Sequence, residues 1–274
     1  MISKVMDHPY REFERSGWER AAAAYAGSFE AATSLFAPPL LEAVQVQGGS
    51  KVLDVACGPG SVTSLAASRG ATAIGADFSA SMIAEARRRN PSLSFREADA
   101  EALPFKDQTF DAVIINFGVH HFPFPVRALS EAHRVLRTAG RLGFTTWATP
   151  QDHVIHRIVV NAVREAGNPS ANLPVSPSGA VNEIATCVKL LREAGFRPES
   201  LHADLLKAQL TVKSAVDLVD ILEAGTVRLS ATLRSQPREK REAILALIQK
   251  GISEFRVNDD FRIPFAAILA VAAK

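Results

Sequence analysis

Short apolar runs and stretches of helical character alternate through the middle of the chain. Residues 51–55 form an apolar run with β-branched side chains, and a glycine turn and a helical stretch follow within about 20 residues. Further strands are predicted at residues 71–76, 93–98, 110–116 and 141–147, with helices between them. Five strands that alternate with helices predict a mainly parallel sheet covered on both faces.

The segments on either side of this alternation are predicted to be mostly helical. Residues 10–46 are rich in alanine and restart after a double proline, which predicts N-terminal helices. After Trp147 the pattern predicts helices at 152–166 and 181–194 and strands at 201–212 and 263–272. A helical stretch at 213–251 separates these two late strands, and we interpret it as a cap inserted over the sheet edge.

Composition and charge restrict the class of protein. The chain has 274 residues, of which 47% are hydrophobic and 22% charged, so it is neither disordered nor fibrous. The sequence has 31 basic and 29 acidic residues, so its charge is nearly balanced. A surface that binds nucleic acid or a membrane is therefore not expected. Two cysteines are too few for a disulfide framework, and neither a signal peptide nor a membrane span is evident. These features favour a cytoplasmic protein.

Residues that could bind a ligand follow the first three predicted strands. Gly58 and Gly60 allow a ligand to approach the backbone closely after the first strand. Asp77 ends the second strand, where a carboxylate can accept hydrogen bonds from two ribose hydroxyls. Asp99 follows the third strand and could accept a hydrogen bond from an adenine amino group. Asp54, just before the loop, suits a cationic ligand, such as a sulfonium that carries an ammonium group.

A dinucleotide is the alternative cofactor, and the sequence argues against it. The segment GPGSVT from Gly58 lacks the third glycine of the dinucleotide fingerprint, and Asp54 would place a negative charge beside a pyrophosphate. A nicotinamide-dependent oxidoreductase is therefore the less favoured alternative hypothesis. A non-catalytic module that binds the cofactor stays open too, because a binding loop does not prove turnover.

Five segments in order resemble the motifs of the class I S-adenosylmethionine-dependent methyltransferases, in the branch of the ubiquinone and menaquinone C-methyltransferases. They are VLDVACGPG, IGADFS, EADAEALPF, FDAVIINFGVHHF and RVLRTAGRL, between Val52 and Leu142. The resemblance implies an α/β, Rossmann-like, seven-stranded, mostly parallel sheet, with N-terminal helices and a helical cap before the last strand. The expected division is an N-terminal helical lid at 1–45 and a methyltransferase domain at 46–274, with its core at 46–150 and the cap at about 211–256.

The resemblance also implies roles for individual residues toward S-adenosylmethionine, whose product is S-adenosylhomocysteine. Ala56, in place of the usual first glycine, would wrap the methionine part with the loop residues, and Asp77 would hold the ribose. The full set of expected cofactor-binding residues is Tyr25, Asp54, Ala56, Cys57, Gly58, Gly60, Asp77, Phe78, Met82, Asp99, Ala100, Asn116 and Phe117. Within it, Phe78, Met82, Asp99 and Ala100 would surround the adenine, and Asn116 and Phe117 would lie near the sulfonium.

Two further expectations concern chemistry and partners. His121 is a candidate general base for an acceptor hydroxyl or activated carbon, although adjacent histidines in a loop are expected to point apart. Because no carboxylate–histidine set has metal spacing, no metal is expected. The acceptor is expected to be a small, flat or lipophilic molecule, and the oligomeric state stays open, a homodimer included.

Overall fold

The structure, a computed structural model, describes residues 8–168 and 173–274. The first seven residues of the predicted lid therefore lie outside the described residues. In the described part the strands are Lys51–Val55 (β1), Thr72–Asp77 (β2), Ser94–Glu97 (β3), Phe110–Asn116 (β4), Leu136–Trp147 (β5), His202–Val212 (β6), Arg256–Val257 (β7) and Asp260–Ala273 (β8). The helices are Pro9–Ala26 (α1), Glu30–Ser34 (α2), Ala37–Ala43 (α3), Ser61–Ser68 (α4), Ala80–Arg89 (α5), Pro125–Val135 (α6), Val154–Ala166 (α7), Ile184–Glu193 (α8), Ala215–Gly225 (α9), Arg228–Arg234 (α10) and Arg238–Ile252 (α11).

All eight strands join one sheet, in the order β3-β2-β1-β4-β5-β8-β6, with β7 paired to β8. The first five strands are parallel, and β8 runs antiparallel to both β5 and β6. The predicted Rossmann-like, mostly parallel sheet is confirmed. The short β7 adds an eighth strand that the periodicity does not reveal, because two residues carry no pattern.

The sheet is covered on both faces because its central strands are apolar on both. In β4, Val113 and Ile115 belong to the core on the side of α6 and α8, and Ala112 and Ile114 belong to the core on the side of α3 and α4. Alternate residues of a strand point to opposite faces, so a continuous apolar run fits a strand buried between two helix layers.

Several predicted boundaries differ from the observed ones. The fifth strand begins at Leu136 instead of residue 141, and its pairing with β4 shifts register between Phe110 and Ala112. An irregular start of this kind, with Ala139 at φ +63°, obscures the alternation that marks a strand. The helix predicted from residue 181 begins at Ile184. The last strand begins at Asp260, three residues before the predicted start at 263.

A third core joins the N-terminal helices to the predicted cap. It contains Phe29 and Phe36 from the N-terminal segment, Leu218 and Leu222 from α9, and Ile248 from α11. Helices α9, α10 and α11 lie between β6 and β8 in the chain, as predicted for an insertion before the last strand. Two segments that are distant in sequence therefore cover the same edge of the sheet.

Candidate functional site

A cavity of about 600 Å³ opens where the carboxyl ends of β1, β2 and β4 meet α1. In a doubly wound sheet this switch point, where successive strands go to opposite sides of β1, is where ligands bind. Eleven of the fourteen predicted site residues line the cavity: Tyr25, Ala56, Gly58, Asp77, Phe78, Met82, Asp99, Ala100, Asn116, Phe117 and His121. Residues separated by up to 96 positions are thus brought to one place.

Asp77 fixes the loop after β1 to the end of β2. Its Oδ2 accepts a hydrogen bond from the backbone N–H of Gly58 at 2.9 Å, and its Oδ1 accepts one from the N–H of Ser79 at 2.9 Å. Each carboxylate oxygen keeps a second lone pair, so both can still accept from a ligand diol. Burial raises the pKa of Asp77 to about 6.

Asp54 and Cys57 line a small neighbouring cavity of about 30 Å³ instead of the main one. The Thr63 hydroxyl donates to Asp54 Oδ2 at 2.6 Å, whereas Oδ1, which is buried, has no hydrogen-bond partner in residues 8–168 and 173–274. Burial raises the pKa of Asp54 to about 7. An orphaned carboxylate oxygen beside a ligand cavity fits a cationic ligand group. Cys57 is a buried free thiol in an apolar cluster with Ile83 and Phe95, and burial raises its pKa. Its expected contact with the cofactor stays a prediction.

The loop between β1 and α4 depends on left-handed backbone at three positions. Ala56, Gly58 and Gly60 have φ angles of +56°, +52° and +88°. A Cβ at Gly58 would lie 3.9 Å from Met82 Sδ and 3.9 Å from Tyr25, in the space open to a ligand. Gly60 lines neither cavity, and a Cβ there would lie 2.8 Å from Phe95, so it serves the fold. At Ala56 a methyl group occupies a backbone region that favours glycine.

Asp99 is held by helix α1. Arg11 forms ion pairs with Asp99 and with Glu101, the latter at 2.7 Å, and Asp99 Oδ1 accepts from the N–H of Glu101 at 2.9 Å. Ala100 lies beside it in the cavity wall. The carboxylate of Asp99 is already paired with Arg11, but it has lone pairs left that could accept from a ligand. The expected contact of Asp99 with adenine therefore stays a prediction.

The end of β4 is held by hydrogen bonds to its neighbours. Asn116 accepts from the Thr145 hydroxyl at 2.7 Å and donates to the Thr33 carbonyl at 3.2 Å. Phe117, at φ +57°, stacks on Trp147 with 4.0 Å between ring centroids. Tyr25 places its hydroxyl 2.7 Å from that of Thr33. Strain and hydrogen bonds together orient these side chains at the cavity.

The two adjacent histidines do not point apart, and that expectation is wrong. The ring centroids of His120 and His121 lie 4.0 Å apart, because a 3₁₀ turn at Val119–His121 turns both toward the cavity. Burial lowers the pKa of His120 well below its ordinary value. His121 Nδ1 lies 2.8 Å from Glu14 Oε2 on α1.

The cavity also contains residues that the sequence analysis missed. Trp147 could have been found, because it ends the fifth strand as Asp77 ends the second. Glu14 and His156 lie on helices and His153 caps the start of α7, and no local signal marks these three residues. Burial lowers the pKa of His153 to about 3 and that of His156 in the same direction, so both imidazoles are neutral near pH 7.

Neither a metal site nor a membrane-spanning helix is found in the described part of the chain. In residues 8–168 and 173–274, no three His, Cys, Asp or Glu side chains are placed to hold a metal ion. In the same part of the chain, no helix combines the length and apolar character needed to cross a membrane.

Comparison with known proteins agrees with the geometry of the site. Residues 53–144 match the model of a methyltransferase domain family. A demethylmenaquinone methyltransferase of Beutenbergia cavernae is 43% identical over 110 residues, which cover 40% of this chain and 46% of that protein. A demethylmenaquinone methyltransferase of Chlorobaculum parvum is 31% identical over 166 residues, which cover 56% of this chain and 69% of that protein. The chain spans about half the length of the first curated relatives it matches.

A solved structure of low identity shows the same fold. A phosphoethanolamine N-methyltransferase of Haemonchus contortus, determined with phosphomonomethylethanolamine and S-adenosylhomocysteine, has a TM-score of 0.51 and 17% identity. The match covers 87% of this chain and 52% of that one. Together with the match to the Chlorobaculum protein over most of its length, these findings assign the family. The chain belongs to the class I S-adenosylmethionine-dependent methyltransferases of the ubiquinone and menaquinone type.

Proposed function

We propose that this chain transfers a methyl group from S-adenosylmethionine to a small, flat, lipophilic acceptor in the cytoplasm. The observation that carries the proposal is the pair of buried carboxylates on either side of the left-handed Gly58 loop, with Asp77 in the wall of the main cavity and Asp54 in the small cavity beside it. Asp54 has one oxygen without a partner among the described residues, and Asp77 is fixed with lone pairs that can still accept. A cationic nucleoside fits both requirements.

The chain's own residues would hold the cofactor in defined places. Asp77 would accept from the ribose hydroxyls, and Phe78 and Met82 would pack against the adenine. Asp54 would meet the methionine ammonium, and Asn116 and Phe117 would lie beside the reacting sulfur. When bound, S-adenosylmethionine supplies a methyl group on a positively charged sulfur that leaves as a neutral thioether, the product S-adenosylhomocysteine.

The residues at the other end of the cavity support an aromatic acceptor. Trp147 packs against Phe117, and against Phe29 with 5.7 Å between centroids, and His153 lies 4.8 Å from it on a third side. Leu222 and Leu229 from the cap complete this apolar wall. Aromatic rings favour the offset or tilted contact of another flat ring. The name of the curated relatives, demethylmenaquinone methyltransferase, makes a naphthoquinol the first acceptor to test.

The protein's task in such a reaction is alignment and the exclusion of water. Because the leaving group is already activated by its charge, correct placement of the acceptor can lower the barrier by about 7–11 kcal/mol. Helix α1 supplies Tyr10, Trp18 and Tyr25 to the cavity wall, and α9 and α10 close it from the other side. His121 faces the same cavity and would take the acceptor proton.

Calorimetric titration with S-adenosylhomocysteine tests the cofactor directly. We expect wild type to bind in the micromolar range and Asp77→Ala to lose binding, because the ribose contacts and the anchor of the Gly58 loop both disappear. Asp107→Ala is the matched control, since Asp107 is exposed and its carboxylate pairs with Arg134 at 2.7 Å, away from the cavity. NADH in a parallel titration tests the oxidoreductase alternative. Binding of NADH without binding of the sulfur nucleoside would overturn the proposal, and cofactor binding without methylation of any acceptor would favour a non-catalytic module.

A further inference from the structure

A buried carboxylate on α1 touches His121, and the two residues are 107 positions apart in sequence. Glu14 Oε2 lies 2.8 Å from Nδ1 of His121, and the Glu14 side chain is only 2% exposed. Among the described residues, His121 Nε2 has no hydrogen-bond partner. Trp18, also on α1, packs its ring edge on the same imidazole with 5.1 Å between centroids. Helix α1 therefore contacts His121 through the carboxylate of Glu14 and the aromatic ring of Trp18.

Glu14 is a buried carboxylate on a helix whose neighbouring charged residues are exposed. Glu12 and Arg15, its neighbours on α1, are exposed and pair with each other at 3.5 Å, as surface charges commonly do. A carboxylate inside the protein costs free energy unless a donor or cation faces it. The charged or titratable groups that face His121 are Glu14 from α1, His120 from its own turn and Asp77 from the end of β2. Of these three groups, Glu14 makes the hydrogen bond to the ring.

We infer that Glu14 is a positioning residue that makes His121 the general base for an acceptor with an ionisable O–H or an activated C–H. This inference rests on the proposed methyl transfer and narrows its acceptor class. By accepting a hydrogen bond from Nδ1–H, the carboxylate fixes the tautomer in which Nε2 carries the lone pair. The same carboxylate stabilises the imidazolium that forms when Nε2 takes a proton.

The proton and electrons balance without another reactant. The acceptor's O–H or C–H electron pair forms the new bond to the methyl carbon, and the carbon–sulfur pair stays with the departing sulfur. The acceptor's proton moves to His121 Nε2 and later leaves to water. Glu14 keeps its charge throughout, so the products include a neutral ion pair of carboxylate and imidazolium inside the cavity.

The position of Glu14 on α1 also makes the base dependent on closure of this helix. Three other contacts tie α1 to the rest of the site: Arg11 to Asp99 and Glu101, the Tyr10 hydroxyl to the carbonyl of His120 at 2.8 Å, and Glu19 to the N–H groups of Ala80 and Ser81. When α1 moves away, His121 loses its orienting carboxylate. Proton abstraction is then confined to the covered, water-poor site.

The test uses the full chain with Glu14→Gln, Glu14→Asp and His121→Gln, and Glu12→Gln as the matched control on the exposed side of the same helix. Nitrogen-15 NMR of the histidine rings in the S-adenosylhomocysteine complex reports the tautomer of His121. Methylation of 1,4-dihydroxynaphthalene reports turnover.

We expect wild-type His121 to be protonated on Nδ1. We expect kcat to fall about 10²- to 10⁴-fold in Glu14→Gln and in His121→Gln. KM for the methyl donor should be unchanged, and Glu14→Asp should recover part of the rate.

A structural role alone would give a different set of results. Glu14→Gln would then leave His121 protonated on Nδ1, whereas the positioning role predicts a changed tautomer in Glu14→Gln and the wild-type tautomer in Glu12→Gln. An Nε2-protonated His121 in wild type, or full turnover in Glu14→Gln, would overturn the inference. Failure of wild type to bind S-adenosylhomocysteine would instead reject the proposed function. If the protein binds S-adenosylhomocysteine but does not methylate the naphthalene diol, this acceptor is wrong. The tautomer of His121 then still decides whether Glu14 is a positioning residue.

Discussion

Asp54 brings a carboxylate into the interior at the end of β1, with 1% of the residue exposed. Thr63 satisfies one of its oxygens, and the other is left without a partner in the described part of the chain. The ligand-free protein is therefore destabilised at this position whenever the carboxyl group ionises. Residues that bind a charged ligand commonly have this cost in the empty protein.

This arrangement predicts a loss of stability with rising pH. The pKa of Asp54 is about 7 in the folded protein, against an ordinary value of 3.8. The folded state thus holds a proton that the unfolded state releases, so stability is greatest at low pH and falls as pH rises toward 7. Between pH 5 and pH 8 we expect wild type to lose about 2–3 kcal/mol more than Asp54→Asn. Urea unfolding of both proteins at the two pH values measures this difference, and equal losses would show that Asp54 does not titrate in this way.

The candidate site was predictable from the sequence only where a motif marks it. The loop at 56–60 and Asp77 follow strand ends in a recognisable order, and Ala56 stands out there as the departure from glycine. The fold tolerates a side chain at Ala56 because of another residue, Gly118, which lies outside the loop at 56–60. A Cβ on Gly118 would lie 2.7 Å from that of Ala56, so the missing side chain of one residue makes room for the methyl of the other. Such compensation between β1 and β4 becomes visible only in three dimensions.

Among the elements, the N-terminal helices and the cap approach each other closely at Gly225 and Phe29. Gly225 ends α9, and Phe29 lies between α1 and α2, and both line the cavity. A Cβ on Gly225 would lie 2.0 Å from the Cβ of Phe29 and 3.3 Å from its Cα. Because the second contact is with backbone, no rotamer change of Phe29 relieves it.

Replacing this glycine should therefore separate the cap from the N-terminal helices. We expect Gly225→Ala to lower the free energy of unfolding by about 1–3 kcal/mol, as overpacking of a core contact does. Gly27→Ala is the matched control, since its new methyl would find its nearest neighbour 3.8 Å away, and a change within about 0.5 kcal/mol is expected. Chemical denaturation of the two variants beside wild type gives both numbers. Similar stabilities for the two variants would mean that α9 can shift without cost.

The elements themselves were largely predictable, since strands and helices of the sheet follow from apolar periodicity. Serine is a preferred residue before the first turn of a helix, and the Ser79 hydroxyl caps α5 by accepting from the N–H of Met82 at 3.2 Å. The contacts of α1 were not predictable. Arg11, Glu14 and Glu19 look like ordinary surface charges in the sequence, and only the closed position of the helix over the cavity gives them partners.

Across the whole molecule, the cavity lies between parts that differ in how they are held. The sheet strands are joined by continuous ladders, with β8 paired along its length to β5 and β6. Helix α1 is held over the cavity by side-chain contacts at Tyr10, Arg11, Glu14 and Glu19. Elements held mainly by such contacts open at lower free energy than the strands of a central sheet.

Hydrogen exchange with and without S-adenosylhomocysteine should reveal this difference. At about 100 times its Kd, a ligand that binds only the folded state adds about 2.7 kcal/mol to stability. We expect the amides of α1, of the loop at 56–60 and of the first turn of α5 to exchange more slowly in the complex, because the proposed ligand site lies directly beside them. Amides in β6 and β8 that exchange by local fluctuation should change little, since these strands lie at the far edge of the sheet. Equal protection of both regions would mean that α1 does not act as a separate cover, and protection of β6 alone would place the ligand elsewhere.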